Sequence, residues 1–229
     1  MSTIWSFGCS FSSGYLDVPQ TDSYPNLLGK EMGYDVINNS KPGSCNDKIF
    51  YELTSNIEKI KSGDIIVYQF SSFNRIGFFE TNNVDTYFSS AGIPELGVQH
   101  KSKENQFKEY TIGELTSLLD FILKWQPKRR NFLLDNPLKI LNYLKKEKKI
   151  TIIILFLTNE MLYYNDTVIP LPTHDNPKNL SLNDYLYENG LTIGHENPEK
   201  YPLDTHPGFN GHKKIMELIK EKLKIENLI

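Results

Sequence analysis

Ile150-Thr151-Ile152-Ile153-Ile154-Leu155-Phe156-Leu157 is an unbroken, largely β-branched apolar run. A strand with one wet face alternates apolar and polar residues, so a continuous run belongs to a strand covered on both faces of a parallel sheet. Asp64-Ile65-Ile66-Val67-Tyr68-Gln69-Phe70 has the same character, and shorter strand-like runs stand at Thr3 to Phe7 and Asp35 to Ile37. Helical patterns separate and follow them at Tyr24 to Met32, Asp47 to Ile60, Ile112 to Trp125, Phe132 to Lys148 and Gly211 to Leu228. In the last of these, Ile215, Leu218, Ile219, Leu223 and Ile225 share one side and lysines take the other. The alternation predicts a doubly wound α/β fold, a three-layer α/β/α arrangement around a five-stranded, mostly parallel sheet.

Two stretches exceed a minimal strand-and-helix repeat. Residues 76–110 are rich in Asn, Ser, Gly and aromatic residues, and residues 159–202 in Pro, Asn and Tyr. Both follow strand ends, where open α/β folds bind ligands, so they are expected to be insertions that shape a substrate site. With 229 residues, 39% of them hydrophobic, the chain is expected to form a single domain over 1–229. There is no internal repeat.

A net charge of -3 leaves no global positive field for nucleic acid. The dense basic stretch Lys145-Lys146-Glu147-Lys148-Lys149 closes a predicted helix, where cations complement the carbonyl end. No run approaches the ~18 apolar residues of a membrane span, and the first residues lack a charged, signal-like start. The expectation is a soluble, cytoplasmic protein with no nucleic-acid or membrane partner. Two cysteines, Cys9 and Cys45, are too few for a disulfide framework or a cysteine-based zinc site.

Four short segments carry chemistry. Gly8-Cys9-Ser10-Phe11-Ser12-Ser13-Gly14 leaves the first strand through small residues, which lets a sharp turn expose Ser10 at the sheet edge. In Lys41-Pro42-Gly43-Ser44-Cys45-Asn46, after the second strand, Gly43 can offer an unobstructed N–H to an anionic oxygen near a helix start. Phe70-Ser71-Ser72-Phe73-Asn74-Arg75 ends the buried third strand with polar groups that suit a further oxyanion donor, while Arg75 suits an anionic substrate group. Asp204-Thr205-His206-Pro207-Gly208 spaces a carboxylate and an imidazole by two, which puts both on one face of extended backbone. Each segment alone also fits an ordinary turn or helix cap.

Taken in order, the four resemble the four blocks of the SGNH (GDSL-like) hydrolase superfamily. The first looks like the nucleophile block, Gly43 with Asn46 like the glycine block, the stretch around Asn74 like the asparagine block, and Asp204 with His206 like the terminal block. Gly8-Cys9-Ser10-Phe11 stands where Gly-Asp-Ser-Leu is usual, and Asn74 falls one residue later than the family's asparagine, leaving Ser71 or Ser72 as alternatives. The terminal spacing is Asp-x-His, also found in SGNH-like domains that act on acetylated polysaccharides, with Asp184 or Asp175 as other partners for the imidazole.

The resemblance implies a flavodoxin-like strand order 2-1-3-4-5 and a serine esterase that needs no cofactor or metal. Its implied roles are Ser10 as nucleophile, His206 as base and Asp204 as orienting carboxylate. The oxyanion donors would be Ser10, Gly43 and Asn74 (or Ser72), with Asn46 and Arg75 contacting substrate. A small acyl group, such as acetyl on a carbohydrate, is the implied substrate. Two other readings use the same segments: a catalytically silent binding module, which a serine-directed probe would not label, and an O-acyltransferase. A metal hydrolase built on His174, Asp175, His195, Asp204, His206 and His212 lacks tight ligand spacing such as His-Glu-x-x-His.

Overall fold

A computed structural model of the chain describes residues 2–73, 75–80, 83–89, 99–100, 131–157, 170–171 and 181–225. The four apolar runs become parallel strands: β1 (Thr3–Phe7), β2 (Asp35–Asn38), β3 (Ile65–Phe70) and, much later in the chain, Thr151–Phe156. The helices between the first three are α1 (Ser10–Ser13), α2 (Tyr24–Met32) and α3 (Asn46–Asn56). Next come β4 (Arg75–Glu80), β5 (Asn83–Ser89) and β6 (Gln99–His100). Helix α4 spans 131–148 and leads into β7, the Thr151–Phe156 strand. The chain finishes with β8 (Pro170–Leu171), α5 (Leu182–Glu188), α6 (Ile193–Glu196) and α7 (Phe209–Ile225).

The main sheet has the order β2-β1-β3-β7-β8, with every pairing parallel. Four strands are of full length. Among the described residues the expected fifth strand is the two-residue β8, which pairs Pro170 with Ile154 and Leu171 with Leu155 at the edge. Proline lacks a ladder donor, and an edge position tolerates that.

Alternate residues of the central strands fill opposite cores. Trp5, Phe7, Ile66, Tyr68, Phe70, Ile152, Ile154 and Phe156 pack with Ile49 and Leu53 of α3 and with Leu134, Leu138 and Leu141 of α4. Ile4, Ile65, Val67, Ile153 and Leu155 pack with Tyr24 and Leu28 of α2 and with Ile215, Ile219 and Leu223 of α7. Burial on both faces is the physical reason that these strands read as unbroken apolar runs. The result is the expected helix–sheet–helix layering.

At the amino-terminal edge of the sheet, Asp64 is a buried carboxylate with three donors. It accepts from Thr3 N, Trp5 Nε1 and Lys61 N, each at 2.9 Å. These bonds satisfy a charge that burial would otherwise penalise.

The described residues of the 76–110 insertion form a small second sheet. β4 and β5 form an antiparallel pair, with a register shift between Phe78 and Glu80, and β6 adds to β5. The described end of the 159–202 insertion holds α5 and α6. The Ile112 to Trp125 helix expectation lies outside the described residues.

Candidate active site

Because β1, β2 and β3 run in parallel, the loops that leave them open on one edge of the sheet. Where the sequence suggests a turn after Gly8, the chain makes the helical turn α1, with the Cys9 carbonyl accepting Ser12 N at 3.0 Å and Ser13 N at 3.1 Å. Ser12 turns inward. It accepts from the Tyr24 hydroxyl at 2.5 Å and donates to Gln69 Oε1, while Gln69 Nε2 donates to Cys9 Sγ at 3.3 Å. Burial drives the Tyr24 phenol well above its ordinary range, so it stays a donor. A Cβ on Gly8 would lie 2.5 Å from Ser12 Oγ and 2.9 Å from Gln69 Oε1, so this packing under Ser10 requires glycine there.

Seated on this base, Ser10 Oγ lies 2.8 Å from His206 Nε2. His206 Nδ1 lies 2.8 Å from Asp204 Oδ1, and the same oxygen accepts the His206 backbone N–H at 2.8 Å. The chain thus joins residues 196 positions apart into a hydroxyl, imidazole and carboxylate relay. With Asp204 accepting from Nδ1–H, Nε2 is left with its lone pair toward the serine hydroxyl, the arrangement a general base requires.

The relay's far side is fixed by main chain. His206 O accepts Ile193 N at 2.7 Å and Asp204 O accepts Gly194 N at 2.9 Å, so α6 holds both carbonyls of the Asp-x-His segment. Glu196 of α6 accepts Phe209 N at 2.8 Å and Asn210 N at 2.9 Å, which caps the start of α7. These supports are not legible in the sequence, because a Gly and a Glu inside a polar stretch give no signal of what they meet. Asp184 serves the start of α5 instead of the imidazole. There Ser181 acts as the cap, accepting Asp184 N at 3.1 Å and donating to Asp184 Oδ2 at 2.8 Å. Asp175 and Asn74 lie outside the described residues.

The second and third loops are tied together more closely than to the relay. Gly43 has φ of +77°, a left-handed conformation that explains the glycine. Asn46, fully buried, donates to Ser71 O at 3.0 Å and accepts from Ser71 N at 2.8 Å. Arg75 Nη1 donates to Ser44 O at 3.3 Å and to Ser71 Oγ at 3.1 Å. These bonds brace the loop after β3 against the loop after β2. Ser72 sits at the turn, its carbonyl accepting Arg75 N at 3.2 Å. Cys9 and Cys45 are both buried thiols, not joined in a disulfide.

Behind the site, His212 of α7 is fully buried. Its Nδ1 accepts Tyr24 N at 3.2 Å, and burial, followed by the nearby His206 charge, pushes its pKa down to about 3. The unfolded chain binds this proton near pH 6.5 and the folded chain does not, so stability is lost as pH falls below about 6.5, at about 1.4 kcal/mol per pH unit. Asn at this position keeps an acceptor and removes the titration. Between pH 7 and pH 4.5, urea unfolding should show wild type losing about 2–3 kcal/mol more than His212→Asn. Equal losses would contradict the assignment.

The serine after β1 is bonded to a histidine ahead of α7, across a parallel sheet whose first strands run in the order 2-1-3. The sheet has the strand order that the resemblance to the SGNH hydrolases implies. No protein-family model matches the chain, and no curated protein sequence matches it. Among solved structures, it is similar to one described as a lipolytic protein of the G-D-S-L family from Desulfitobacterium hafniense DCB-2, at 12% identity and TM-score 0.38, covering 96% of this chain and 99% of that one. It is similar to the lipase/acylhydrolase from Enterococcus faecalis at 13% identity and TM-score 0.44, covering 99% and 97%. It is also similar to a carbohydrate esterase whose active site is described as having divergent catalytic and non-catalytic binding functions, at 12% identity and TM-score 0.47, covering 97% and 68%. At these distances, the functional reading rests on the site's own geometry.

Proposed function

We propose that the chain is a serine acyl hydrolase acting through Ser10, His206 and Asp204. The observation that carries this reading is the unbroken hydrogen-bonded series from Ser10 Oγ through His206 to Asp204, 2.8 Å at each step. In the first half-reaction Ser10 Oγ bonds to the ester carbonyl carbon, its proton passes to His206 Nε2, and the carbonyl π electrons move onto oxygen. The carbonyl re-forms as the bond to the alcohol breaks, and the alcohol leaves with the proton from Nε2. Water then repeats the sequence on the acyl-serine and frees the acid.

Backbone N–H groups of Ser10 and Gly43 are assigned to the oxyanion, with the Asn74 side chain or Ser72 as the third donor. Each such donor is worth about 10²–10³ in rate. The acyl group we assign is small, acetyl on a carbohydrate alcohol, a choice supported by the aromatic and Asn-rich composition of 76–110 and 159–202. No helix among the described residues is long and apolar enough to cross a membrane.

The experiment is hydrolysis of p-nitrophenyl acetate by the purified protein at neutral pH. Steady release of p-nitrophenolate above the buffer rate is expected. Release no faster than in buffer would remove the hydrolase reading and favour a binding module built on the same site.

A further inference from the structure

The imidazole at the centre of the relay lies against two aromatic rings. Tyr15 stacks on His206 with ring centroids 4.1 Å apart and planes 28° apart, while Phe11 lies at 5.0 Å and 40°. Tyr15 belongs to a tightly wound loop in which Val18 N donates to Tyr15 O at 3.1 Å and Leu16 takes a φ of +52°, a conformation uncommon for a branched side chain. The next residue, Asp17, is gripped by a segment 183 positions further on. Its carboxylate accepts from Lys200 Nζ at 2.8 and 3.0 Å, from Tyr201 hydroxyl at 3.2 Å and from Asn197 Nδ2 at 3.5 Å. That segment leads directly into Asp204 and His206.

We infer that Tyr15 is a positioning residue for His206, held on the imidazole by the Asp17–Lys200–Tyr201 clasp. For catalysis the inference rests on the esterase reading; for the histidine's environment it does not. The bonds to Ser10 and Asp204 fix the axis through the two ring nitrogens but do not oppose rocking about it. A stacked ring does. When Nε2 takes the serine proton, the electron-rich face of Tyr15 also stabilises the resulting imidazolium. Loop strain at Leu16 is then explained by what the clasp holds in place.

The charged or titratable groups facing this imidazole include Asp204 on its own segment, Ser10 on α1 and His212 on α7, and the substitutions below leave all three intact. Burial of an apolar neighbour alone cannot mimic the effect of a π face, so Tyr15→Leu and Tyr15→Phe separate the two.

The experiment measures the His206 titration by NMR on side-chain-labelled protein and the pH profile of p-nitrophenyl acetate hydrolysis, in wild type, Tyr15→Leu, Tyr15→Phe and Lys200→Met. Tyr15→Leu is expected to lower the His206 midpoint by about half to one and a half pH units and to reduce kcat about threefold to thirtyfold. Tyr15→Phe should restore both. Lys200→Met, a change at an exposed residue that leaves the core intact, should shift the midpoint in the same direction by a smaller amount, and it carries the test should Tyr15→Leu fail to fold. Unchanged midpoints in Tyr15→Leu and Lys200→Met, or a loss that Phe does not restore, would overturn the inference while hydrolysis by wild type leaves the esterase reading standing. A shifted midpoint in a protein without esterase activity would uphold the inference and remove that reading.

Discussion

Ser10→Ala is expected to reduce ester hydrolysis by about 10⁴-fold or more. Alanine leaves no atom that can bond to the carbonyl carbon, so the reaction loses its covalent intermediate. Only oxyanion donors and substrate positioning remain, with water as the attacking group. The substitution removes one oxygen from a residue that is 1% exposed, and the packing beneath α1 depends on Ser12, Gln69 and Tyr24, which are untouched. The fold should therefore persist, and a far-UV spectrum and melting temperature close to wild type would make the rate loss a statement about chemistry. Steady-state kinetics with p-nitrophenyl acetate reads the effect. Retention of most of the activity would move the nucleophile elsewhere.

Two changes at Asp204 should separate its charge from its hydrogen bonds. One oxygen, Oδ1, accepts both the His206 main-chain N–H and Nδ1–H. Asparagine can leave a carbonyl oxygen in that place, preserving the tautomer and the ring's orientation, while the negative charge that stabilises the imidazolium is lost. A charge pair near 4 Å at an effective dielectric of about 20 interacts by about 4 kcal/mol. The two side chains are 21% and 19% exposed, so solvent screens part of this, and the expected loss for Asp204→Asn is about 10²-fold. Asp204→Ala removes the charge and both acceptor bonds, and should cost about 10⁴-fold. kcat/KM for the pair of variants gives the order directly. Equal activity of the two would show that the hydrogen bonds to Oδ1 contribute nothing beyond charge.

The parts of this molecule legible in its sequence are those set by short-range pattern. β1, β3 and β7 announce themselves because both of their faces are buried, and α2 and α7 because one face is. Ser10, Asp204 and His206 stand at element boundaries, where motif and turn chemistry coincide. What the sequence conceals depends on contacts between distant segments. α1 is only four residues long and is held by Ser12, Tyr24 and Gln69, a set with no periodicity. Asn46 looks like a polar residue at a loop mouth, but both ends of its amide are engaged by Ser71. Tyr15 lies in an ordinary-looking loop, and its place on His206 is visible only once Asp17 and Lys200 meet. The β4–β5 pair is hidden because antiparallel pairing off the main sheet needs no strong apolar alternation.

Activation of Ser10 as a nucleophile by His206 is tested most directly by covalent labelling with a fluorophosphonate probe, located by peptide mass spectrometry. A single adduct on Ser10 is expected in wild type, formed far more slowly in His206→Ala and absent in Ser10→Ala. Wild-type protein that stays unlabelled, or an adduct on any other residue, would show that Ser10 is not the nucleophile.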